Sequence, residues 1–312
     1  MIRSKLNCIL IPLLLLSALP AFAQSPIGTR AEGMAGAFVG VADDASAVYW
    51  NPAGIATGSI VSAVVSWGDG PEIAAPLQTA DGQQDTRAMI AVSATAVGAA
   101  YYRFTAYGLG AANPAATTSS SREEVGRFVH AITVHTVGVS LLQSISENIV
   151  VAATPKFVRG AGANAFDVDA GVMLSVNRVR LGLVARNLTA PSFESDAIAQ
   201  TIDLQREVRA GAAWGSGWSG VSRVIVSIDG DLTTRVAPDG DRRDVAAGVE
   251  TWWLGQRLGL RSGVKASTIG DARAAVAAGM SAGLTPGMFV EAHVMRGEGD
   301  ERSWSIGARM LF

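Results

Sequence analysis

Ser303–Phe312 reads SWSIGARMLF, and it alternates. Trp304, Ile306, Ala308, Met310 and Phe312 fall on one face; Ser303, Ser305, Gly307 and Arg309 fall on the other, with Leu311 as the exception. A period of two belongs to a strand whose side chains point alternately to two sides. The pattern recurs upstream. Phe166, Val168, Ala170, Val172 and Leu174 oppose Asp167, Asp169 and Gly171, and Val179, Leu181, Leu183 and Ala185 oppose Arg180, Gly182 and Arg186. Val224, Val226 and Ile228 oppose Arg223, Ser227 and Asp229, and Val290, Ala292 and Val294 oppose Glu291 and His293. A soluble sandwich alternates too. Here, however, the polar face carries many full charges and the apolar face very few. That suits lipid outside and a polar lumen inside, because a lysine or arginine facing lipid at mid-depth costs about 2–4 kcal/mol.

The same reading along the chain predicts strands near 60–67, 88–95, 98–107, 129–143, 148–159, 165–176, 178–187, 206–215, 221–231, 243–253, 256–265, 272–282, 287–296 and 303–312. That is an even number, as single-chain bacterial barrels require. Long connections (68–87, 108–128 and 188–205) follow odd-numbered strands and short ones (144–148, 254–256) follow even-numbered strands, the asymmetry of long outer loops and short periplasmic turns. The expected fold is therefore all-β: a fourteen-stranded antiparallel transmembrane outer-membrane β-barrel. Arg180, Arg186, Arg223, Glu250, Arg261, Glu291 and His293 are the polar residues expected to line its lumen. The aromatic Phe312, ending an alternating strand, is expected to serve as the assembly signal.

Residues 1–23 read as a signal peptide: basic Arg3 and Lys5, an apolar centre Ile9–Leu19, and Ala21-Phe22-Ala23 before the cut. The apolar centre is short for a membrane span. The one cysteine, Cys8, lies in this leader, so the mature chain can form no intramolecular disulfide. Once the two leader cations are removed, 23 basic residues face 27 acidic ones, a net of −4. That is no electrostatic footprint for nucleic acid. The nearest approach to a helical span, Ala272–Leu284, is interrupted by Arg273.

Between the leader and the first strand lie residues 24–58, with the core Gly28–Gly54, GTRAEGMAGAFVGVADDASAVYWNPAG. The segment is too rich in Gly and Ala for an independent domain and too apolar for a disordered tail. Ala31, Ala35, Phe38 and Val39 have helix-like spacing. Asp43, Asp44 and Ser46 offer a helix cap or an Asx turn, and Asn51-Pro52 signals a turn. A fourteen-stranded barrel is wider than side chains alone can fill, so it needs an occupant or leaves a channel. This segment is the expected plug, and residues 59–312 the barrel.

The pattern G-x-x-A-x-x-M-x-x-A-F-V-x-V-A-D-D-x-S-A-x-x-W-N-P-A-G resembles the N-terminal plug of the FadL-type and PorV-type outer-membrane barrels. The resemblance implies that the segment folds into the periplasmic half of the lumen as a hatch, with Asn51, Pro52 and Ala53 in that hatch. Asp43, Asp44, Trp50, Asn51, Pro52, Ala53 and Gly54 are the hatch candidates. Two readings of Asn51–Gly54 remain open: a structural cap that docks the plug to the wall, or a gate.

Catalytic signals are weak, and a non-enzyme is expected. His130 and His135 are five apart and point to opposite faces of one strand, no G-x-S-x-G elbow is present, and the Asp43-Asp44 pair lacks the clustered oxygen ligands a calcium site needs. No cofactor and no metal are expected. The tryptophans, Trp50, Trp67, Trp214, Trp218, Trp252, Trp253 and Trp304, mostly fall near strand ends and read as an interfacial girdle. Pro155 stands inside a strand, where it removes a ladder donor; it reads as a wall bulge or as a defect through which an apolar ligand leaves sideways. Expected partners are outer-membrane lipid, the barrel assembly machinery and a small hydrophobic ligand. Two functions fit: a passive outer-membrane channel for small hydrophobic compounds, or a scaffold barrel of the PorV type that engages secreted proteins without transport.

Overall fold

The computed structural model describes residues 27–70, 86–110, 128–195, 200–216, 223–236, 240–298 and 301–312. The leader and most of the first two long connections lie outside the described residues. Fourteen strands form the wall: β1 (Val61–Asp69), β2 (Thr86–Ala94), β3 (Val97–Gly110), β4 (Phe128–Ser144), β5 (Ile149–Gly160), β6 (Ala163–Val176), β7 (Val179–Arg186), β10 (Glu207–Gly215), β11 (Arg223–Asp231), β12 (Asp244–Trp253), β13 (Leu258–Ser267), β14 (Ala275–Thr285), β15 (Met288–Gly297) and β16 (Arg302–Leu311). Each overlaps a strand expected from the alternation. Each pairs antiparallel with its neighbours, and β1 pairs with β16, which closes the barrel. β8 (Ser192–Ser195) and β9 (Gln200–Asp203) form a separate hairpin between β7 and β10. The sequence reading treats that stretch as one loop. Two four-residue strands are too short to show a period against a polar background.

Closure leaves no sheet edge, so strands can satisfy one another's ladder groups without water, which is why a sheet facing lipid must be a barrel. The faces sort as the alternation requires. Val65, Ile90, Val139, Phe157, Leu181, Val226, Val264 and Ile306 project outward and are exposed. Arg180, Arg186, Asp229, Glu250, Arg261 and Glu291 project inward and are buried. Trp67 and Trp304 meet edge to face on the outer surface, centroids 5.1 Å apart, and Trp214 and Trp253 are also exposed. Trp50 and Trp252 correct the girdle reading: both are buried inside, because Trp50 precedes the wall and Trp252 falls on the inward phase of β12. Trp218 lies outside the described residues.

Pro155 also departs from expectation. β4 and β5 pair from His135↔Arg159 to Gly138↔Lys156, and pairing resumes at Leu141↔Ala153 in the same register. No residue is inserted, so there is no bulge. Pairing lapses for two residues on each strand, consistent with the proline's missing N–H. Among the described residues the wall's register shift lies elsewhere, between Gly283 and Thr285 of β14.

At the seam, Phe312 N donates to Val61 O (2.9 Å) and Val61 N to Phe312 O (3.1 Å), and the Phe312 side chain is 71% exposed on the outward face. Leu311 pairs with the inward-facing Ser62. Phe312→Ala is therefore expected to lower the yield of heat-modifiable barrel in membranes more than Leu311→Ala. Equal yields would remove Phe312 from the assembly signal.

Residues 27–58 contact inward-facing residues of strands all round the ring. They hold two single-turn helices, α1 (Thr29–Glu32) and α2 (Ala47–Trp50), and a 3-10 turn, Pro52–Thr57. The helix expected across Ala31–Val39 ends after α1, because Ala35 and Gly36 take left-handed φ of 54° and 82°, which terminates a right-handed helix.

Candidate functional site: a charged latch and an apolar column

The interior has two chemically distinct parts. On the side of β7 and β11 to β16, charges from the wall converge on the inner segment. Arg30 of α1 is the hub. Its guanidinium donates to Glu250 (2.7 and 2.8 Å), Asp43 (2.6 Å) and Asp44 (2.9 Å). Arg223 and Arg180 also reach Asp43, at 2.5 and 3.5 Å. Glu250 further accepts from Arg261 (3.2 Å) and from Trp252 Nε1 (2.9 Å), and Arg261 and Arg309 share Glu291 (3.3 and 3.1 Å). Burial alone would raise the Asp43 carboxyl. The charges of Arg30, Arg223 and Arg180 outweigh it and hold that carboxyl well below the usual carboxylate range.

The remaining contacts fasten the segment at intervals. Glu32 pairs with Arg87 and accepts from Ser305 Oγ (3.1 Å). His293 shares a hydrogen bond with Ser305 (2.7 Å) and faces Glu32 at 3.6 Å. The backbone N–H groups of Phe38 and Val39 donate to Asp229 (2.8 and 2.7 Å). Arg180 donates to the Val41 and Thr57 carbonyls (3.2 and 3.1 Å).

The motif residues act locally. Asp44 forms the Asx turn, accepting from Ser46 N (2.9 Å) and Ser46 Oγ (2.5 Å). Trp50 Nε1 donates to the Ile27 carbonyl (2.8 Å). Asn51 is fully buried; it donates to Val39 O (3.2 Å) and to Val172 O in the wall (3.1 Å), and accepts from Ala53 N (3.3 Å). Pro52 opens the 3-10 turn, where its missing N–H costs nothing. Gly54 lies against Ala42, whose Cβ would stand 2.9 Å from an added Cβ. In the wall, Gly248 makes the same allowance for Met34, at 2.8 Å.

The other part, along β3, β4 and β5, carries apolar residues of a buried cluster that also takes in the inner segment, with one buried charge among them: Lys156 of β5, which pairs with Asp167 (3.1 Å) and Asp169 (2.7 Å) of β6. Val48 and Ile55 stand over Gly98 at its lower end. Tyr49 meets Tyr102 (5.4 Å, edge to face) and Tyr102 stacks with Phe104 (6.3 Å). Ile132, Val134 and Val158 continue upward, and Phe193 of β8 and Ile202 of β9 close the top; Phe193 stands over Gly160 beside Ile132. Arg186 marks the boundary between the two parts, its guanidinium 4.5 Å from the Tyr49 ring centroid and 2.9 Å from Glu207. A cavity of about 10 Å³, lined by Glu32, Ala35, Gly36, Arg87, Lys265, Met295 and Ser303, holds room for roughly one water.

Of the seven wall residues expected to face the lumen, Arg180, Arg186, Glu250, Arg261, Glu291 and His293 are buried, and Arg223 is half-buried with its guanidinium on Asp43. Arg180, Arg223, Glu250, Arg261 and Glu291 join one network with Asp43 and Asp44, His293 joins Glu32, and Arg186 stands apart against Tyr49. Sequence reasoning missed Arg30, Glu32 and Arg87. The available signal was two full charges, Arg30 and Glu32, in a stretch otherwise of small and apolar residues up to Asp43. It also missed Phe193 and Ile202, which no alternation marks. Among the described residues no group of three or more His, Cys, Asp and Glu stands where it could hold a metal ion, and no helix is long and apolar enough to cross a membrane.

Solved structures share this architecture. They include the monoaromatic hydrocarbon channel CymD (TM-score 0.62, 11% identity, 92% of this chain and 97% of that one). The Ralstonia pickettii toluene transporter TbuX matches with TM-score 0.62 and 10% identity over 92% of this chain and 99% of that one. A Pseudomonas aeruginosa FadL homologue matches with TM-score 0.55 and 13% identity over 94% and 100%. The fold is that of the FadL-type outer-membrane barrels. Residues 158–231 also match a family model described as F plasmid transfer operon, TraF, protein, which spans less than half of the chain. No curated protein matches the chain.

Proposed function

We propose that this protein is an outer-membrane channel for the passive passage of small hydrophobic compounds, with residues 24–58 as its plug. The observation that carries the reading is the buried apolar and aromatic cluster that reaches from Phe193 and Ile202 to Val48 and Ile55, beside a lumen wall that is otherwise charged. A charged lumen alone would suit a polar solute. An apolar track against one wall suits a ligand such as a monoaromatic hydrocarbon, which gains on the order of 25 cal/mol per Å² of apolar surface withdrawn from water. The similarity of fold to CymD, TbuX and the FadL homologue supports the same class of cargo. On this reading passage runs down a gradient. The column's lower end, at Gly98, adjoins Ser140, and Ser140 and Thr154 (2.8 Å apart) line the two-residue gap beside Pro155. That gap is the proposed side exit toward lipid.

The test is uptake of labelled toluene into vesicles carrying the full-length protein. Uptake should exceed that of empty vesicles, and Val158→Asp should abolish the excess while the barrel still folds. An added carboxylate at Val158 would put a charge among the apolar side chains, and the one cation on its strand face, Lys156, is already held by Asp167 and Asp169. Identical uptake with and without the protein would end the transport reading. It would favour the scaffold barrel, which the tight filling between inner segment and wall also suits.

A further inference from the structure

We infer that the outer surface of β3, β4 and β5 binds the anionic, phosphate-bearing headgroup of a lipid in the outer leaflet. Arg103 pairs in register with His135, and His135 with Arg159. All three lie on the outward phase of their strands, as the buried Tyr102, Phe104, Val134, Thr136 and Val158 between them require. Adjacent strands lie about 4.8 Å apart, so the two guanidiniums flank the imidazole in one row across the strands. Ala88 and Asn164 continue the row on either side, so it holds no carboxylate.

Among the described residues no acidic group pairs with Arg103 or Arg159, and Arg103 Nε is buried without a hydrogen-bond partner. His135 shares a hydrogen bond with Tyr101 OH (2.9 Å) and stacks on that ring (6.1 Å), which holds the imidazole in place. One pairing step nearer the membrane centre the row becomes Tyr101, Val137, Phe157 and Phe166 in direct register, with Phe157 and Phe166 meeting edge to face at 5.9 Å. Cations therefore sit immediately above an aromatic and aliphatic belt, on the side of the long connections. An acyl chain on the belt places its headgroup phosphate against the two arginines, which bind phosphate oxygens through fixed, paired N–H donors.

The inference rests on the barrel lying in the outer membrane with its long connections outward, and the experiment separates the two. Folded full-length protein in detergent is titrated with phosphatidic acid or with phosphatidylcholine of the same acyl chains, and bound lipid is counted by native mass spectrometry. One phosphatidic acid should be held about tenfold more tightly than phosphatidylcholine, the equivalent of about one charge-assisted hydrogen bond. R103Q/R159Q should lose that preference. Arg206→Gln/Arg243→Gln removes the same charge from exposed positions outside the row and should keep it. Equal binding of the two lipids by the parent overturns the site without touching the membrane reading. Equal loss in both double variants shows only general charge, and displacement by equimolar inorganic phosphate shows an ion site and not a lipid site; either result overturns the proposal. The parent's preference is measured without any variant, so a misfolded double variant leaves the test intact.

Discussion

Arg30→Met lowers the stability of the folded protein by about 3–5 kcal/mol, the cost of removing one partner from a buried ion cluster. Among the described residues Arg30 is the one that joins Asp43, Asp44 and the wall residue Glu250 directly. Methionine keeps much of the volume and removes the charge. Glu250 keeps Arg261, and Asp43 keeps Arg223 and Arg180, but Asp44 loses its ion-pair partner while buried. The measurement is the denaturation midpoint of the heat-modifiable barrel, compared with Arg206→Met, an exposed position that should shift by no more than about 0.5 kcal/mol. Equal shifts in the two variants would mean the cluster does not hold the segment.

Acid gives a second reading of the same latch. Asp43 has a depressed value in the folded state, so its contribution is complete above its unfolded value of about 3.9 and is lost as the pH falls toward the folded value. Weakening that depression by removing Arg30 should make the variant less sensitive than the parent to acidification between about pH 5 and 2.

Deleting residues 27–57 behind the native leader converts a closed barrel into a conducting one. The wall's hydrogen bonds run strand to strand, and β1 closes on β16 without help from the inner segment. The vacated lumen is lined by Arg180, Arg209, Arg223, Asp229, Glu250, Arg261 and Glu291, which water would solvate, so the emptied barrel gains an aqueous path. The expected results are stable ion conductance in planar bilayers and sensitivity to large polar antibiotics that the full-length protein excludes. A folded deletion barrel with parental conductance would show that residues 27–57 do not plug the lumen. A failure to fold would instead assign Asn51, with its bonds to Val39 and Val172, and Arg30, with its bonds to Glu250, to folding of the wall itself.

The sequence by itself determined the strands of the wall, their number and their faces. A side chain's face depends only on its parity along its own strand, so Arg180, Glu250 and Glu291 could be assigned inward without knowing any neighbour. Lipid sharpened that signal, since charge on the wrong face is costly and alternation stays clean. Tertiary structure alone decided which charges meet. Arg30 and Glu250 are 220 residues apart, and their pairing depends on how the ring closes and how far the inner segment threads into it. It also decided that the segment folds into isolated turns and not one helix, because Asp229 and Arg180 capture backbone groups that a helix would keep to itself. The apolar column needed closure as well. Phe193 and Ile202 belong to a hairpin with no periodic signal, and they become buried only where the barrel brings β3, β4 and β5 beneath them. Pro155 shows the same division: the lost donor was legible in one residue, whereas the unbroken register on both sides of it belongs to the pairing of two whole strands.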